Sequence, residues 1–313
     1  MPANSRNQSI DLVKIIAMIM VVRMHIGLAH NLPSYELSRF VHGILCPAVP
    51  LFFMVSGYLM QCRMPDYRYI WGKIGRILKF VYIVIPISCV LTGIVVHHPR
   101  PYSLVTWIIG GGNMWQFWYF AAIIIVYALA PYICKMVASS KSHIYIAIMF
   151  LICAVVTIVN VYLGFEQTYV RQTFRLYYWI FYFMLGAYIK QNGHSEHINW
   201  LWVLSMMCAA VVFITPSLTS LFDNLYGSIV CAAYAYCILC ACLNTPVHDS
   251  KLISNLSSLF LPVYTLHPVA IKILANQCAL NTPPRIRNAI ILLTSFEFYN
   301  DSVLVNNENT IRK

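Results

Sequence analysis

Long apolar runs separated by short polar segments make up most of this chain. A helix needs about 20 predominantly apolar residues to cross a bilayer. Runs of about this length occupy residues 10–30, 43–62, 77–97, 115–137, 143–164, 174–190, 198–215, 225–243 and 256–276. A tenth run begins near Asn288, but the chain soon becomes polar again. The pattern predicts an all-α, polytopic transmembrane helical bundle of nine or ten spans.

The composition supports a membrane protein. Hydrophobic residues make up 60% of the 313 residues and charged residues only 10%, against roughly 25% charged residues in soluble domains. One core cannot bury that much apolar surface, so we expect the bilayer to be the main solvent. This excludes a disordered chain and argues against a soluble enzyme. The first run is too long for a cleavable signal peptide, so we expect a retained first span.

The net charge of +11 suggests a nucleic-acid partner in a soluble protein. In a membrane protein the positive-inside rule explains it first, and we expect no nucleic-acid partner. A cytoplasmic N-terminus places more basic residues inside than outside, and the densest cluster, Arg63 to Lys79, then lies inside. The eleven inner residues are Arg6, Lys14, Arg63, Arg68, Lys73, Arg76, Lys79, Lys135, Lys141, Lys190 and Lys251. The seven outer residues are Arg39, Arg100, Arg171, Arg175, Lys272, Arg285 and Arg287.

The eleven cysteines do not indicate a metal site or a disulfide framework. Several of them lie inside apolar runs, and no CxxC pairs with another at zinc-finger spacing. Buried cysteine behaves as a small hydrophobe. We therefore expect no metal ion.

The first apolar run carries ionisable groups at membrane depth, which is costly and indicates function. Lys14 and His25 are eleven residues apart, so on a helix they differ by only about 20° and by about 16 Å in height. Asp11 lies three residues before Lys14 on nearly the same face, where it can pair with it. Arg23 lies about 200° from His25 and belongs to another face. The alternative is that Lys14 reaches the interface and His25 bonds a neighbouring helix.

Two further segments combine polar and apolar residues. Ser56 and Gly57 form a small pair that lets a helix or a ligand approach closely. Lys73 and Arg76 are three residues apart at the start of the third span, where they can bind phosphate or simply obey the positive-inside rule. No acidic residue lies in the middle of a span, which argues against a proton-coupled transporter.

Aromatic and histidine residues mark two other spans. Trp115 and Trp118 suit an aromatic belt at the outer interface. Tyr264 and His267 are three residues apart on one face of the ninth span, so they add a second intramembrane histidine.

With these residues in view, the chain resembles the integral-membrane acyltransferase family 3, bacterial O-acyltransferases of sugars and polysaccharides. The similar segments come in the family's order: SIDLVKIIAMIMVVRMH, VPLFFMVSGYLM, KIGRILKF, FWYFAAIIIVYALAP and SSLFLPVYTLHP. They span about residues 9–275. Lys14 stands where the family more usually has Arg, which keeps the charge and loses the bidentate fork.

The resemblance implies a membrane O-acyltransferase that moves an acyl group, usually acetyl from acetyl-CoA, to a hydroxyl of a cell-envelope glycan such as an O-antigen or an exopolysaccharide. It implies a multi-pass protein of the bacterial inner membrane. His25 would be the general base, and Ser56 would line the acyl site or donate to the oxyanion. The acyl-CoA phosphates would be bound by Lys14, Lys73 and Arg76.

The candidate substrate-binding residues are Trp118, Tyr264 and His267, of which Trp118 and His267 would either contact the acceptor or support the residues that do. The resemblance covers a domain of residues 1–282, and we expect residues 283–313 to be an atypical or truncated C-terminal segment. Two alternatives stay open: a multi-span glycan flippase or polymerase, and a non-enzymatic export or assembly component.

Overall fold

The computed structural model describes residues 7–25, 44–96, 108, 116–163, 169–194, 196–197, 200–204, 206–207, 226–247 and 250–280. Regular structure in these residues is helical throughout, as the sequence predicts. The helices are α1 (Gln8–His25), α2 (Ala48–Gln61), α3 (Tyr67–Val96), α4 (Trp118–Ala138), α5 (Ser142–Leu163), α6 (Leu176–Asn192), α7 (Ile229–Asn244), α8 (Lys251–Ser258) and α9 (Phe260–Leu280). A 3-10 turn, Gln172–Phe174, precedes α6.

Short polar side chains set the starts of several helices. The Asn7 side-chain oxygen accepts a hydrogen bond from the Ile10 N–H, and the Asp66 carboxylate accepts one from the Tyr69 N–H. Ser228 and Ser250 accept in the same way at the starts of α7 and α8. Each of them satisfies a backbone donor that has no partner inside the helix. The end of α6 falls at Gly193, whose φ of 84° favours glycine.

The helices follow the predicted spans, with differences at the ends. Helix α3 begins at Tyr67, ten residues before the predicted span 77–97, because Asp66 caps it there. The basic cluster that contains Lys73 and Arg76 is therefore helical. Of the predicted span 198–215, residues 200–204 and 206–207 are described, and they are helical. The predicted tenth run and the segment 283–313 lie outside the described residues.

Fewer helices than predicted are individually long and apolar enough to cross a bilayer. Among the described residues, two meet both conditions: Trp118–Ala138, with a mean hydropathy of 2.0, and Ser142–Asn160, with 2.4. The apolar segments Ala48–Gln61, Ile229–Asn244 and Phe260–Ile271 are shorter. Helices α1 and α3 carry several charged residues, which lower their hydropathy. Nine or ten complete spans thus remain a proposal.

Helix α5 exposes an apolar face. Only 17% of its Ser142–Asn160 segment is buried within the protein, against 61% for the corresponding segment of α4. Its exposed apolar residues lie at helical spacing and include Ile144, Ile148, Leu151, Val155 and Ile158. The stripe faces away from the helix bundle.

Helices α2 and α6 cross closely at two glycines. A Cβ atom added to Gly57 would overlap the carbonyl oxygen of Phe183, and one added to Gly186 would overlap that of Met54. The two backbones touch because each helix presents a glycine to the other. The small Ser56-Gly57 pair therefore does allow close helix approach, and it is Gly57 that faces α6.

Candidate active site

Two histidines from opposite ends of the sequence meet in the structure. His25 is the last residue of α1, and His267 lies in α9. Nε2 of His267 is 3.1 Å from Nδ1 of His25, and the ring centroids are 4.9 Å apart. His267 is 5% exposed, whereas His25 is half-buried. The sequence indicated both residues, but only the packing of α1 against α9 brings them together.

Backbone carbonyls hold both imidazole rings. Nδ1 of His25 is 2.8 Å from the carbonyl oxygen of Val21, one turn earlier in α1. Nδ1 of His267 is 2.8 Å from the carbonyl oxygen of Tyr264 and 3.2 Å from that of Val263. Both rings are therefore anchored through Nδ1 to their own helices.

The other end of α1 carries a buried carboxylate with a lysine partner. Asp11 is 1% exposed, and the Lys14 ammonium donates to its Oδ1 at 3.0 Å, which confirms the expected pair. The hydroxyl of Ser257, at the end of α8, donates to the same oxygen at 2.7 Å. The Lys14 side chain keeps 25% of its surface exposed, so it can still meet a ligand while it offsets the Asp11 charge.

A cleft lies where α1 meets α8. It has a volume of about 320 Å³ and is lined by Gln8, Ser250, Lys251, Ser254 and Asn255. The Gln8 side-chain amide donates to the Ser254 hydroxyl at 2.9 Å, which joins α1 to α8. Gln8 lies six residues before Lys14, about 9 Å along the helix axis. Sequence reasoning did not select Lys251 or Gln8 for a site, because only folding places α8 against α1.

Ser56 and Lys73 both contact one tyrosine. The Tyr127 hydroxyl donates to Oγ of Ser56 at 3.4 Å, and Nζ of Lys73 lies 4.7 Å from the centroid of the Tyr127 ring. Tyr127, in α4, was not among the predicted site residues; its signal was a tyrosine inside an apolar helix. Arg76 is exposed on α3. Among the described residues, no hydrogen bond or ring contact joins Lys73 or Arg76 to Lys14.

Trp118 and Tyr264 are buried in aromatic clusters. The Trp118 ring packs on Trp179 at 5.1 Å between centroids, so it faces the protein interior and does not contribute to an exposed belt. The Tyr264 hydroxyl donates to the carbonyl oxygen of Gln116 at 2.8 Å, and its ring lies 6.0 Å from His267. Both have packing roles here, and their contact with an acceptor stays a prediction.

The arrangement separates a candidate base from a candidate anion site along α1. His25 and His267 lie at one end, Asp11 and Lys14 at the other, and Arg23 is exposed on another face of the same helix. Among the described residues, no group of three or more His, Cys, Asp or Glu side chains is placed to hold a metal ion. The chemistry available to these groups is acid–base catalysis and anion binding.

Comparison with known families agrees with this chemistry. The profile described as "Acyltransferase domain" matches residues 7–296. The chain belongs to the acyltransferase 3 family. The match covers nearly the whole chain and all of the helices described above, and it confirms the resemblance seen in the sequence. Family membership supports acyl transfer, and it implies an acyl donor and an acceptor.

A more distant relative carries a different name. The chain is 25% identical over 230 residues to an "Amino-acid racemase" of Enterococcus faecalis, an alignment that covers 66% of this chain and 32% of that protein. The chain thus spans about a third of the length of this curated relative. No solved structure gives a significant match.

Proposed function

We propose that this chain is a membrane O-acyltransferase, which moves an acyl group, most simply acetyl from acetyl-CoA, to a hydroxyl of a cell-envelope glycan such as an O-antigen or exopolysaccharide. The acyltransferase family match carries the reaction class. The half-buried His25, anchored at the end of α1, supplies the base that the reaction needs. The name of the racemase is not extended to this chain, because the alignment covers too little of that protein.

The proposed reaction begins with proton transfer to His25. The acceptor hydroxyl, whose pKa is far above neutral, gives its proton to the imidazole as its oxygen attacks the thioester carbonyl. The C–S bond then breaks, and the protonated imidazole returns the proton to the leaving thiolate of CoA. The products are an O-acyl ester and free CoA, so atoms and protons balance.

Ser56 is proposed to donate a hydrogen bond to the oxyanion that forms during this attack. Tyr127 supports that role, because its hydroxyl donates into the Ser56 oxygen. Ser56 also bonds to the Tyr119 hydroxyl, so in the proposed reaction its hydrogen turns from Tyr119 to the oxyanion, and the bond accepted from Tyr127 strengthens it as a donor.

The acyl-CoA donor is proposed to bind from the inner end of α1. Lys14, Lys73 and Arg76 would bind its phosphates, and the rise of about 16 Å from Lys14 to His25 is of the order of an extended pantetheine arm. On the acceptor side, Trp118 and Tyr264 stay candidate substrate-binding residues, and His267 either joins them or supports another site residue.

Insertion in the bacterial inner membrane as a multi-pass protein is part of the proposal. The apolar stripe of α5 supports it, because a helix with a mean hydropathy of 2.4 and only 17% burial presents to its surroundings the kind of surface that lipid covers. Helix α3, with 30 residues, is about 45 Å long. It exceeds the roughly 30 Å hydrocarbon core, which lets its basic first turns lie in the cytoplasm.

The experiment compares two ionisable residues of α1, both of which are costly to place at membrane depth. Strains carrying His25→Ala or Arg23→Leu, matched for protein level, are assayed for alkali-labile acetyl on the surface glycan. Loss of a general base lowers rates by about 10²- to 10⁴-fold, so His25→Ala should abolish acetylation. Arg23 is exposed on another face, so Arg23→Leu should preserve it. Near-normal acetylation in His25→Ala would refute the role of His25.

A further inference from the structure

The proline after His267 changes the hydrogen bonding of α9. In a helix the N–H of residue 268 would donate to the carbonyl of residue 264, but Pro268 has no N–H. The Tyr264 carbonyl therefore lacks its usual helical donor. Nδ1 of His267, 2.8 Å away, takes that place.

This contact fixes where the proton of His267 lies. A carbonyl oxygen only accepts hydrogen bonds, so Nδ1 of His267 must carry a hydrogen. In the neutral ring Nε2 then holds a lone pair, and this is the atom that faces His25 at 3.1 Å. Pro268 thus favours the tautomer of His267 that accepts a hydrogen bond from the partner histidine.

The same reasoning applies to His25. Its Nδ1 lies 2.8 Å from the Val21 carbonyl oxygen, so Nδ1 carries a hydrogen here as well. That hydrogen is shared between two acceptors, the Val21 carbonyl and Nε2 of His267. In the neutral ring the lone pair of His25 is therefore on Nε2.

We propose that His267 is a positioning residue, whose Nε2 lone pair holds His25 in the tautomer with its hydrogen on Nδ1 and its basic lone pair on Nε2. The inference rests on the proposed function for the catalytic meaning of that lone pair. Of the two roles that the sequence left open for His267, contact with the acceptor or support of another site residue, it assigns the second, which acts through His25. The buried position of His267, 5% exposed, supports a role that does not require contact with substrate.

The proposed pair works as the aspartate–histidine pair of serine proteases does, with a neutral acceptor in place of the carboxylate. When the acceptor hydroxyl gives its proton to Nε2 of His25, the ring becomes a cation with hydrogens on both nitrogens. The Nδ1 hydrogen remains bonded to Val21 and His267, which stabilises the cation. His267 keeps its own proton throughout, and the proton on Nε2 of His25 leaves with CoA.

The first test reads the tautomer directly and requires no turnover. The full-length protein, labelled with ¹⁵N in its histidine rings and held in nanodiscs, gives ring nitrogen spectra in which protonated and bare nitrogens resonate far apart. His25→Gln assigns the His25 signals. We expect a bare Nε2 and a protonated Nδ1 in the wild-type protein, and a mixture of tautomers in His267→Leu. His267→Gln, whose side-chain oxygen can replace Nε2 as acceptor, should restore the single tautomer.

The second test measures acetyl transfer by the same purified variants. We expect His267→Leu to lower kcat by about 10- to 100-fold, the usual effect of a hydrogen-bond partner behind a functional histidine, with the KM for acetyl-CoA unchanged. His267→Gln should recover most of kcat. Thr265→Val is the matched control, because this buried hydroxyl bonds to carbonyls of its own helix. Thermal unfolding identifies any variant that loses activity by unfolding.

The two tests separate the inference from the proposed function. If His25 stays in one tautomer in His267→Leu, or if the Leu and Gln variants lose equal activity while both stay folded, the positioning role is wrong. If the wild-type protein transfers no acyl group, the proposed function fails, yet the spectra still decide whether His267 sets the tautomer. If His267→Leu does not fold, a mixed tautomer in folded His267→Gln contradicts the inference, and a single tautomer supports it.

Discussion

Lys14 pairs with Asp11 in the structure and is also proposed to bind acyl-CoA. Its ammonium donates to the buried Asp11 carboxylate at 3.0 Å, and the proposed reaction asks it to bind a phosphate of acyl-CoA. Part of its charge is already offset by Asp11. A variant of Lys14 alone therefore mixes a stability effect with a binding effect, and a double variant is needed to separate them.

We expect Lys14→Met to lower both stability and affinity for CoA. It removes a cation from the buried Asp11 carboxylate, which costs about 1 to 3 kcal/mol. In Asp11→Asn/Lys14→Met the residual charge is gone, so stability should recover while CoA affinity stays low. Thermal unfolding in detergent and calorimetric titration with CoA measure the two effects. Lys14→Arg should retain binding, because it keeps the charge and adds a bidentate fork. Full recovery of CoA affinity in the double variant would show that Lys14 does not contact the ligand.

Tyr127 offers a test of Ser56 that leaves Ser56 in place. Tyr127→Phe removes the hydroxyl that donates to Ser56 but keeps the ring under Lys73. If Ser56 stabilises the oxyanion, kcat should fall roughly 3- to 10-fold, equivalent to about 1 kcal/mol, with little change in KM. Tyr132→Phe, at an exposed tyrosine of the same helix, is the control and should leave kcat unchanged. An unaltered kcat in Tyr127→Phe would remove the support for Ser56 as donor.

At the scale of helices, the contact between α2 and α6 depends on two absent side chains. Gly57 and Gly186 each face the backbone of the other helix. Ser56 immediately precedes Gly57 in α2, and Trp179 of α6 packs on Trp118. A change in the separation of α2 and α6 would therefore move Ser56 relative to Tyr127.

Alanine at these glycines should destabilise the protein. In Gly57→Ala or Gly186→Ala the new methyl group meets a backbone carbonyl that cannot rotate away, and overpacking of this kind costs about 1 to 3 kcal/mol or more. Gly72→Ala in α3 is the control, because a Cβ there meets nothing within 4 Å. It should stabilise the helix by about 0.5 to 1 kcal/mol. Thermal unfolding of the purified variants checks both signs, and equal melting temperatures for Gly57→Ala and Gly72→Ala would contradict the close crossing.

Hydrophobic periodicity predicted the helices well but their ends less well. The spans 115–137 and 143–164 agree with α4 and α5 within a few residues, because these segments are apolar on nearly all sides. Helix α3 starts ten residues before its predicted span. Its first part is basic and exposed and is capped by Asp66, so a search for apolar runs does not find it. The predicted span 256–276 also runs across the boundary between α8 and α9. A count of apolar residues does not detect the short, polar helix α8, which Ser250 caps.

Several residues of the candidate site were predicted from the sequence, but Tyr127, Gln8 and Lys251 were not, and neither were the contacts between distant residues. The rotation of about 100° per residue in a helix placed Lys14, Asp11 and His25 on one face. This prediction needs only the spacing of the three residues in the sequence. The contacts of His25 with His267 and of Ser56 with Tyr127 join residues 242 and 71 positions apart. Those contacts depend on how α1, α2, α4 and α9 pack. Helical periodicity in a single sequence shows which residues share a face of one helix but not which helices are neighbours.

At the scale of the whole molecule, the orientation in the membrane decides whether acyl-CoA can reach the proposed donor site. Acetyl-CoA is a cytoplasmic metabolite, so Lys14, Lys73 and Arg76 must all face the cytoplasm. The basic excess of eleven against seven and the helical, basic start of α3 favour that arrangement. An outward orientation would leave the family assignment intact but remove the proposed path of the donor.

Cys62 provides a native probe of this orientation. It is exposed between α2 and α3, next to Arg63, whereas the other cysteines whose burial is described are buried. A membrane-impermeant maleimide should therefore label Cys62 in inside-out vesicles and leave it unlabelled in intact spheroplasts. The Cys62→Ser variant is the control, because the difference in labelling between it and the wild-type protein measures the label on Cys62. The positive-inside rule predicts this result, since Cys62 precedes the densest basic cluster of the chain. Labelling of Cys62 in spheroplasts would place that cluster outside, where no cytoplasmic acyl-CoA reaches Lys73 and Arg76.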